Sequence, residues 1–143
     1  MPYEKAREVT HLFLETILND DQFRQFLTGQ PLVAWTGSSF HVYLFLKQKQ
    51  KHDFYDQAIQ YTEKMRDKGF TAKWLQYVSQ RTQVNVIGGH EKKPGSITVD
   101  PSQTPSGKLA RSPLGSFHMS DYETVDGVSI PIEISRLDDP NLT

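Results

Sequence analysis

The stretch Phe40-His41-Val42-Tyr43-Leu44-Phe45-Leu46 carries the strongest fold signal in the chain. It is rich in aromatic and β-branched residues, which favour a β-strand. Because side chains alternate between the two faces of a strand, His41 and Tyr43 are predicted to point one way, and Phe40 and Val42 the other. The stretch therefore predicts a sheet with one apolar face and one face that bears polar groups.

Helical spacing of apolar residues lies on both sides of this strand. Residues 3–19 are predicted to form a first helix. A second, short helix is predicted to begin at a cap formed by Asp20 or Asp21 and to stop at Gly29. Residues 53–68 carry one apolar stripe, which is typical of a longer helix that packs on a sheet.

Further strands are predicted along the rest of the chain, at 32–35, 84–87, 96–99, 115–122 and 128–135. The last two strands are predicted to be joined by a hairpin turn at Asp126-Gly127. The glycine-rich stretch 88–95 is also interpreted as a hairpin turn, while residues 70–79 fit either a helix or a strand. The pattern predicts one α+β domain with an N-terminal helical pair and a mainly antiparallel sheet with one long helix packed on it.

The length of 143 residues suits a single domain over residues 1–143. Residues 1–29 are assigned to its helical N-terminal segment. Four of the eight prolines fall within 92–113, which is also rich in Gly and Ser and, apart from the strand 96–99, is predicted to be a long loop. Residues 137–143 are predicted to be a loose polar tail.

The composition excludes several classes of protein. The formal net charge of −1 disfavours a generally basic nucleic-acid binder. The chain has no cysteine, so disulfides, thiol nucleophiles and thiolate metal sites are excluded. No signal-peptide core or membrane-length apolar run is present, which predicts a cytoplasmic protein, or one of the host cytoplasm if the source is a virus.

Two histidines lie in matching frames, Ser39-Phe40-His41-Val42-Tyr43 and Ser116-Phe117-His118-Met119-Ser120. In each frame a strand would place the histidine and the following hydroxyl residue on one face. Imidazole exchanges protons near neutral pH, so two such histidines could act as acid and base on one phosphate. The alternative for either histidine alone is a half-buried side chain that hydrogen-bonds a neighbour in the sheet.

These frames resemble the paired strand motif of the 2H phosphoesterase superfamily, in which a histidine is followed by an apolar residue, Thr or Ser, and a second apolar residue. The segment 41–46, with the predicted helix 53–68 after it, is similar to the first motif, and 118–120 is similar to the second. Tyr43 departs from the expected Thr or Ser, and Asp121 stands where an apolar residue is usual.

The resemblance implies a phosphoesterase that needs no metal or other cofactor and acts on a nucleotide phosphodiester, such as a cyclic phosphate or a cyclic oligonucleotide. His41 and His118 would be the acid and base. Tyr43 and Ser120 would hold phosphate oxygens and stabilise the charge of the transition state.

Other residues are candidates for binding the same ligand. If the first strand continued, Lys47, Lys49 and Lys51 would share the face of His41 and attract an anion; a solvated loop is the alternative. Arg111, in the long loop before the second frame, could bind a phosphate through two hydrogen bonds. Trp74 could stack on a base, although core packing is the alternative for a tryptophan.

A second class of function stays open at this point. Small size, near-neutral charge and the proline-rich loop also fit a non-enzymatic binding module that sequesters a nucleotide or inhibits a protein partner, as immunity and anti-defence proteins do. A homo-oligomer is compatible with either function. Turnover of a cyclic nucleotide distinguishes the two classes.

Overall fold

A computed structural model describes residues 2–37, 39–55, 69–89, 91, 93–101, 117–119 and 125–139. The described residues form a single small α+β domain with an N-terminal helical pair and a mainly antiparallel sheet. This confirms the predicted fold class. Most of the predicted helix 53–68 lies outside the described residues, apart from a short helix α3 (His52–Phe54) near its start.

The N-terminal pair consists of α1 (Pro2–Leu18) and α2 (Asp21–Arg24). The carboxylate of Asp20 accepts a hydrogen bond from the backbone N–H of Phe23 at 3.4 Å, so Asp20 is the N-cap of α2, one of the two predicted alternatives. The short helix ends at Arg24 rather than continuing to Gly29. Gly29 instead adopts a φ of 64° in the turn that leads into the sheet, a conformation that glycine tolerates best.

The main sheet has the strand order β2-β1-β7, with β1 (Leu32–Trp35) in the centre, β2 (Phe40–Tyr43) and β7 (Ile130–Ile132). Both pairings are antiparallel. The β1–β2 turn is held by the backbone N–H of Thr36, which donates to the carbonyl of Ser39 at 3.0 Å. The strand β2 is shorter than predicted, because after Tyr43 the chain leaves β1 and approaches the end of α2.

Two further strand pairs complete the described structure and correct two predicted turns. The strands β3 (Asn85–Gly88) and β4 (Ser96–Val99) pair in parallel, so residues 88–95 do not form a hairpin. Gly89, with a φ of 126°, donates its N–H to the carbonyl of Val99 at 3.0 Å, so the parallel pairing extends one residue beyond the end of β3.

The predicted hairpin turn at Asp126-Gly127 is also wrong, because both residues lie within β6 (Val125–Val128). This strand pairs antiparallel with β5 (Phe117–Met119), and the register shifts between His118 and Met119. The flanking valines favour an extended chain, and pairing with β5 overrides the local turn preference of Asp-Gly.

The apolar core has two parts, and α1 contributes to both of them. The first part is formed by Ile17, Phe23, Leu27 and Trp74, which we call the Trp74 cluster. The second is formed by Leu14, Val33 and Leu137 and lies against the main sheet. Since Leu14 and Ile17 are one turn apart on α1, the helix joins the two parts.

The helix α4 (Phe70–Arg81) settles the ambiguity of residues 70–79. Its buried positions, Thr71, Trp74, Leu75 and Val78, recur at helical spacing. It packs against α1 and β3.

The C-terminal region departs from two predictions. After β7 the chain forms a 3₁₀ helix (Ile134–Asp138) instead of extending the strand to residue 135. Leu137 at 1% exposure is a core residue, so at least the start of the predicted loose tail 137–143 is anchored by apolar burial. Within the described residues, none of the helices is both long enough and apolar enough to cross a membrane.

Candidate functional site

The main sheet has a core-facing side and an opposite side that we call the outer face. Phe40 and Val42 pack against the core cluster of Leu14, Val33 and Leu137. The alternation of the strand therefore places His41 and Tyr43 on the outer face, as predicted. Residues directly opposite in an antiparallel pair share a face, so the registers complete the outer face with Leu32, Ala34 and Pro131.

His41 and Tyr43 form the polar part of the outer face. Their ring centroids are 6.4 Å apart, with an angle of 53° between the ring planes, and both residues are partly exposed. Both side chains also take part in interactions within the protein. An imidazole and a phenol at this separation can each offer a hydrogen-bond donor to one oxyanion lying between them.

The alternation continues for a short distance beyond β2. Leu46 forms an antiparallel bridge with Leu27. On one side of the bridge, the N–H of Thr28 donates to the carbonyl of Phe45 at 2.9 Å. On the other side, the N–H of Lys47 donates to the carbonyl of Phe26 at 2.8 Å. The chain is therefore extended from β2 as far as Lys47.

Side-chain directions in this extended segment follow from what packs inward. Leu44 and Leu46 both pack against the Trp74 cluster. Phe45, between them, points away from the core and is 47% exposed. Lys47 is exposed and follows the same parity.

The predicted lysine stripe is therefore only partly formed. The chain bends at Lys47 and Gln48, and Lys49 is exposed outside any strand. Lys51 is the residue that precedes α3. The loop alternative is correct for Lys49 and Lys51, while Lys47 lies exposed at the bend where the extended segment ends.

The second histidine frame lies in a different sheet from the first. His118 is on β5, whose partner is β6, and Gly127 lies opposite it. Since β5 is not a member of the β2-β1-β7 sheet, sheet pairing does not bring the two histidine-bearing strands side by side. For His118 the structure describes the backbone position, and Ser120 and Arg111 lie outside the described residues.

Trp74 is not available to stack on a base, which corrects that prediction. It is 2% exposed, and its rings pack against Phe13, Phe23 and Phe70. Its indole N–H donates to a carboxylate oxygen of Asp20 at 2.9 Å. The core alternative for this tryptophan is the correct one.

Asp20 has a larger structural role than the cap that the sequence predicted. The carboxylate is 8% exposed and accepts from Trp74, from the ammonium of Lys73 at 3.1 Å and from the backbone of Phe23. Burial alone raises the pKa of a carboxyl. The pKa of Asp20 is nevertheless lowered below its ordinary value, because the carboxylate accepts hydrogen bonds from Trp74, Lys73 and the Phe23 amide and lies beside the positive charge of Lys73.

Sequence reasoning gave no function to Phe45, although its place two residues after Tyr43 was a usable signal. Parity with His41 and Tyr43 places it on the same side of the chain, and the leucines on either side mark the opposite side as apolar. Among the described residues, no group of three or more His, Asp or Glu side chains is positioned to hold a metal ion.

Neither family models, curated protein sequences nor solved structures gave a match to this chain.

Proposed function

We propose that the chain is a metal-independent phosphoesterase of the 2H type that acts on a nucleotide phosphodiester, such as a cyclic phosphate or a cyclic oligonucleotide. The observation that supports this proposal most directly is the pair His41 and Tyr43, which lie partly exposed on the outer face with ring centroids 6.4 Å apart. A proton-exchanging group and a hydroxyl donor on one accessible face are what an acid–base reaction at phosphate needs.

In the proposed reaction one histidine takes the proton of the attacking water or hydroxyl as the new P–O bond forms. The other histidine gives a proton to the leaving oxygen as its P–O bond breaks, so no net charge accumulates. His41 carries one of these roles and His118 the other. Tyr43 donates to a non-bridging phosphate oxygen, and Lys47 increases the local concentration of the anionic substrate.

A second candidate is a module that binds a nucleotide without hydrolysing it. The observation that favours it is the strand arrangement, since β5 and β2 belong to different sheets. In this case His41 and Tyr43 would bind phosphate without a partner imidazole, and the chain would act by sequestering its ligand or through a protein partner.

Hydrolysis assays with matched histidine variants test the leading proposal. Purified protein is incubated with cyclic mononucleotides and cyclic dinucleotides in EDTA, and products are followed by chromatography. The variants are His41→Ala, His118→Ala and, as a control, His11→Ala on α1, whose imidazole lies 3.5 Å from Asp138 near the C-terminal 3₁₀ helix. Each of the first two changes is expected to lower kcat by about 10²–10⁴-fold, the usual contribution of a general acid or base, while the control retains activity.

The assay also separates the two candidates. Hydrolysis that persists in both His41→Ala and His118→Ala would exclude the proposed acid–base pair. Tight binding of a nucleotide by the wild type, with no product formed, would favour the second candidate instead.

A further inference from the structure

An aromatic ring lies exposed just beyond the proposed phosphate site. Phe45 follows Tyr43 by two residues, points to the same side of the extended chain and is 47% exposed. The fold does not need this ring in the core, because Leu44 and Leu46 fill the adjacent positions of the Trp74 cluster. We propose that Phe45 is a stacking platform for the nucleobase of the ligand whose phosphate lies at His41 and Tyr43; this inference rests on the proposed function.

The spacing along the chain fits one nucleotide. Residues two apart in an extended segment are separated by about 6.6 Å, at roughly 3.3 Å per residue. A phosphate held at Tyr43 and a base on Phe45 are then neighbours along the chain, and the sugar between them bridges the gap. The hydrogen bonds to residues 26 and 28 on either side of the Leu27–Leu46 bridge hold the segment extended, so the spacing is fixed before a ligand binds.

The charge of the surrounding chain favours a nucleotide over an apolar ligand. From Ser39 to His52 the sequence contains no Asp or Glu and has three lysines. Lys47 and Lys49 are exposed, with no ion pair among the described residues. Aromatic rings beside basic groups bind bases by stacking and phosphates by charge, and stacking tolerates any base because every base has a π-face.

The two tryptophans and the exposed ring of Tyr77 are less suited to stacking on a base beside the proposed phosphate site. Trp74 is buried. Trp35 is in contact with the rings of Tyr3 and Phe40. Tyr77, which is also 47% exposed, lies on α4, and its ring is in contact with the guanidinium of Arg81 at 5.2 Å. Tyr77 is therefore a matched control for the removal of an exposed aromatic side chain.

Binding measurements with two probes test the platform. Calorimetry compares adenosine 5′-monophosphate with ribose 5-phosphate, which has the phosphate and sugar but no base. Phe45→Ala is expected to weaken binding of the nucleotide about tenfold or more, the effect of losing one base–aromatic stack. Binding of ribose 5-phosphate is expected to be unchanged, and Tyr77→Ala is expected to change neither affinity.

A conservative variant distinguishes stacking from a structural effect. Phe45→Trp is expected to retain nucleotide affinity, and its added fluorescence is expected to be quenched by the nucleotide but not by ribose 5-phosphate. Equal loss of both ligands in Phe45→Ala would show a phosphate or folding effect and overturn the platform.

The outcomes separate this inference from the proposed function. If Phe45→Ala leaves nucleotide affinity unchanged while His41→Ala and His118→Ala lose hydrolysis, the platform is wrong and the phosphoesterase stands. If Phe45→Ala weakens the nucleotide while both histidine variants hydrolyse as the wild type does, the platform stands and the proposed catalytic pair is wrong. If the wild type binds no nucleotide, the proposed stacking role of Phe45 is wrong. The role is also wrong if the protein self-associates and Phe45→Ala abolishes the association, because the ring would then belong to an interface between copies.

Discussion

The Trp74 cluster and the segment from His41 to Lys47 contain similar residue types but use them in opposite ways. At the edge of the first, the indole of Trp74 and the ammonium of Lys73 donate hydrogen bonds to the carboxylate of Asp20, and the carboxylate and the indole are almost fully buried. In the second, an imidazole, a phenol, a phenyl ring and an ammonium lie at least partly exposed along one extended run. The fold depends on the first group, and the second remains accessible to a ligand.

The difference shows how burial decides which polar and aromatic residues stabilise the fold. A buried polar group stabilises a fold only when its hydrogen bonds are made inside the protein. Asp20 meets this condition through the side chains of Trp74 and Lys73 and the Phe23 amide. Phe45 leaves nearly half of its surface in water, so its ring contributes less apolar burial to the fold than the rings of the Trp74 cluster do.

Removal of the Trp74 ring is expected to lower the free energy of unfolding more than any of the substitutions below. Trp74→Ala is expected to lower the free energy of unfolding by about 3–5 kcal/mol, because it removes a large buried ring and leaves a cavity beside the buried carboxylate of Asp20. Urea denaturation followed by circular dichroism measures the change. In Trp74→Phe much of the ring packing is retained, so the loss of stability is expected to be smaller than in Trp74→Ala.

Tyr77→Ala is the control for this comparison, since Tyr77 lies on the same helix and is exposed. If Trp74→Ala cost no more stability than Tyr77→Ala, the cluster would not be the stabilising region, and the contrast between the two regions would be wrong.

A smaller effect is expected from the pH dependence of Asp20. Its folded pKa lies below the ordinary value of 3.8, so the stabilisation is fully present above that pH and is lost as the pH falls through the lowered pKa. In Asp20→Asn this component is absent. The difference in unfolding free energy between the wild type and Asp20→Asn is therefore expected to shrink as the solution is made more acidic than pH 3.8.

Denaturation at a series of acid pH values measures this difference, with Asp21→Asn at the neighbouring exposed carboxyl as control. A difference that stayed constant from neutral pH into strong acid would show that Asp20 stabilises the fold through the geometry of its cap alone.

The parts of the fold that depend on local pattern were predictable from sequence. The alternation of apolar and polar residues predicted which side chains lie on each face of β2. The strand Ser96–Val99 has the bounds that the sequence pattern predicts. An acidic residue before an apolar run gave Asp20 or Asp21 as the cap of α2, and the structure shows that it is Asp20. Each of these features depends on residues close in sequence, where backbone geometry alone decides which side chains meet.

The errors occur where a distant segment decides the outcome. Asp126-Gly127 has a strong turn preference, but it pairs with β5 and remains extended. Leu137 begins a mostly polar tail, yet it is buried against Leu14 and Val33, which are more than 100 residues earlier in the chain. Local propensity is a weak guide when tertiary pairing and burial contribute more free energy.

The candidate site shows the same division. Parity was enough to place His41 beside Tyr43, because both lie on one strand. Whether His118 reaches the same phosphate depends on how two sheets pack, which a matching five-residue frame does not specify. Parity also places Phe45 on the side of His41, but its exposure required the structure, since the inward packing of Leu44 and Leu46 shows that this side faces away from the core.

Substitutions in the exposed segment from His41 to Lys47 are expected to change the free energy of unfolding least. Lys47→Gln is expected to change the free energy of unfolding by no more than about 0.5 kcal/mol, as for other surface substitutions, and Phe45→Ala is expected to cost less than about a third of the loss in Trp74→Ala. The same urea denaturation series measures both. A loss in Phe45→Ala as large as that in Trp74→Ala would make Phe45 a core residue, whereas a small loss combined with weakened nucleotide binding would show that this ring is kept for a ligand rather than for the fold.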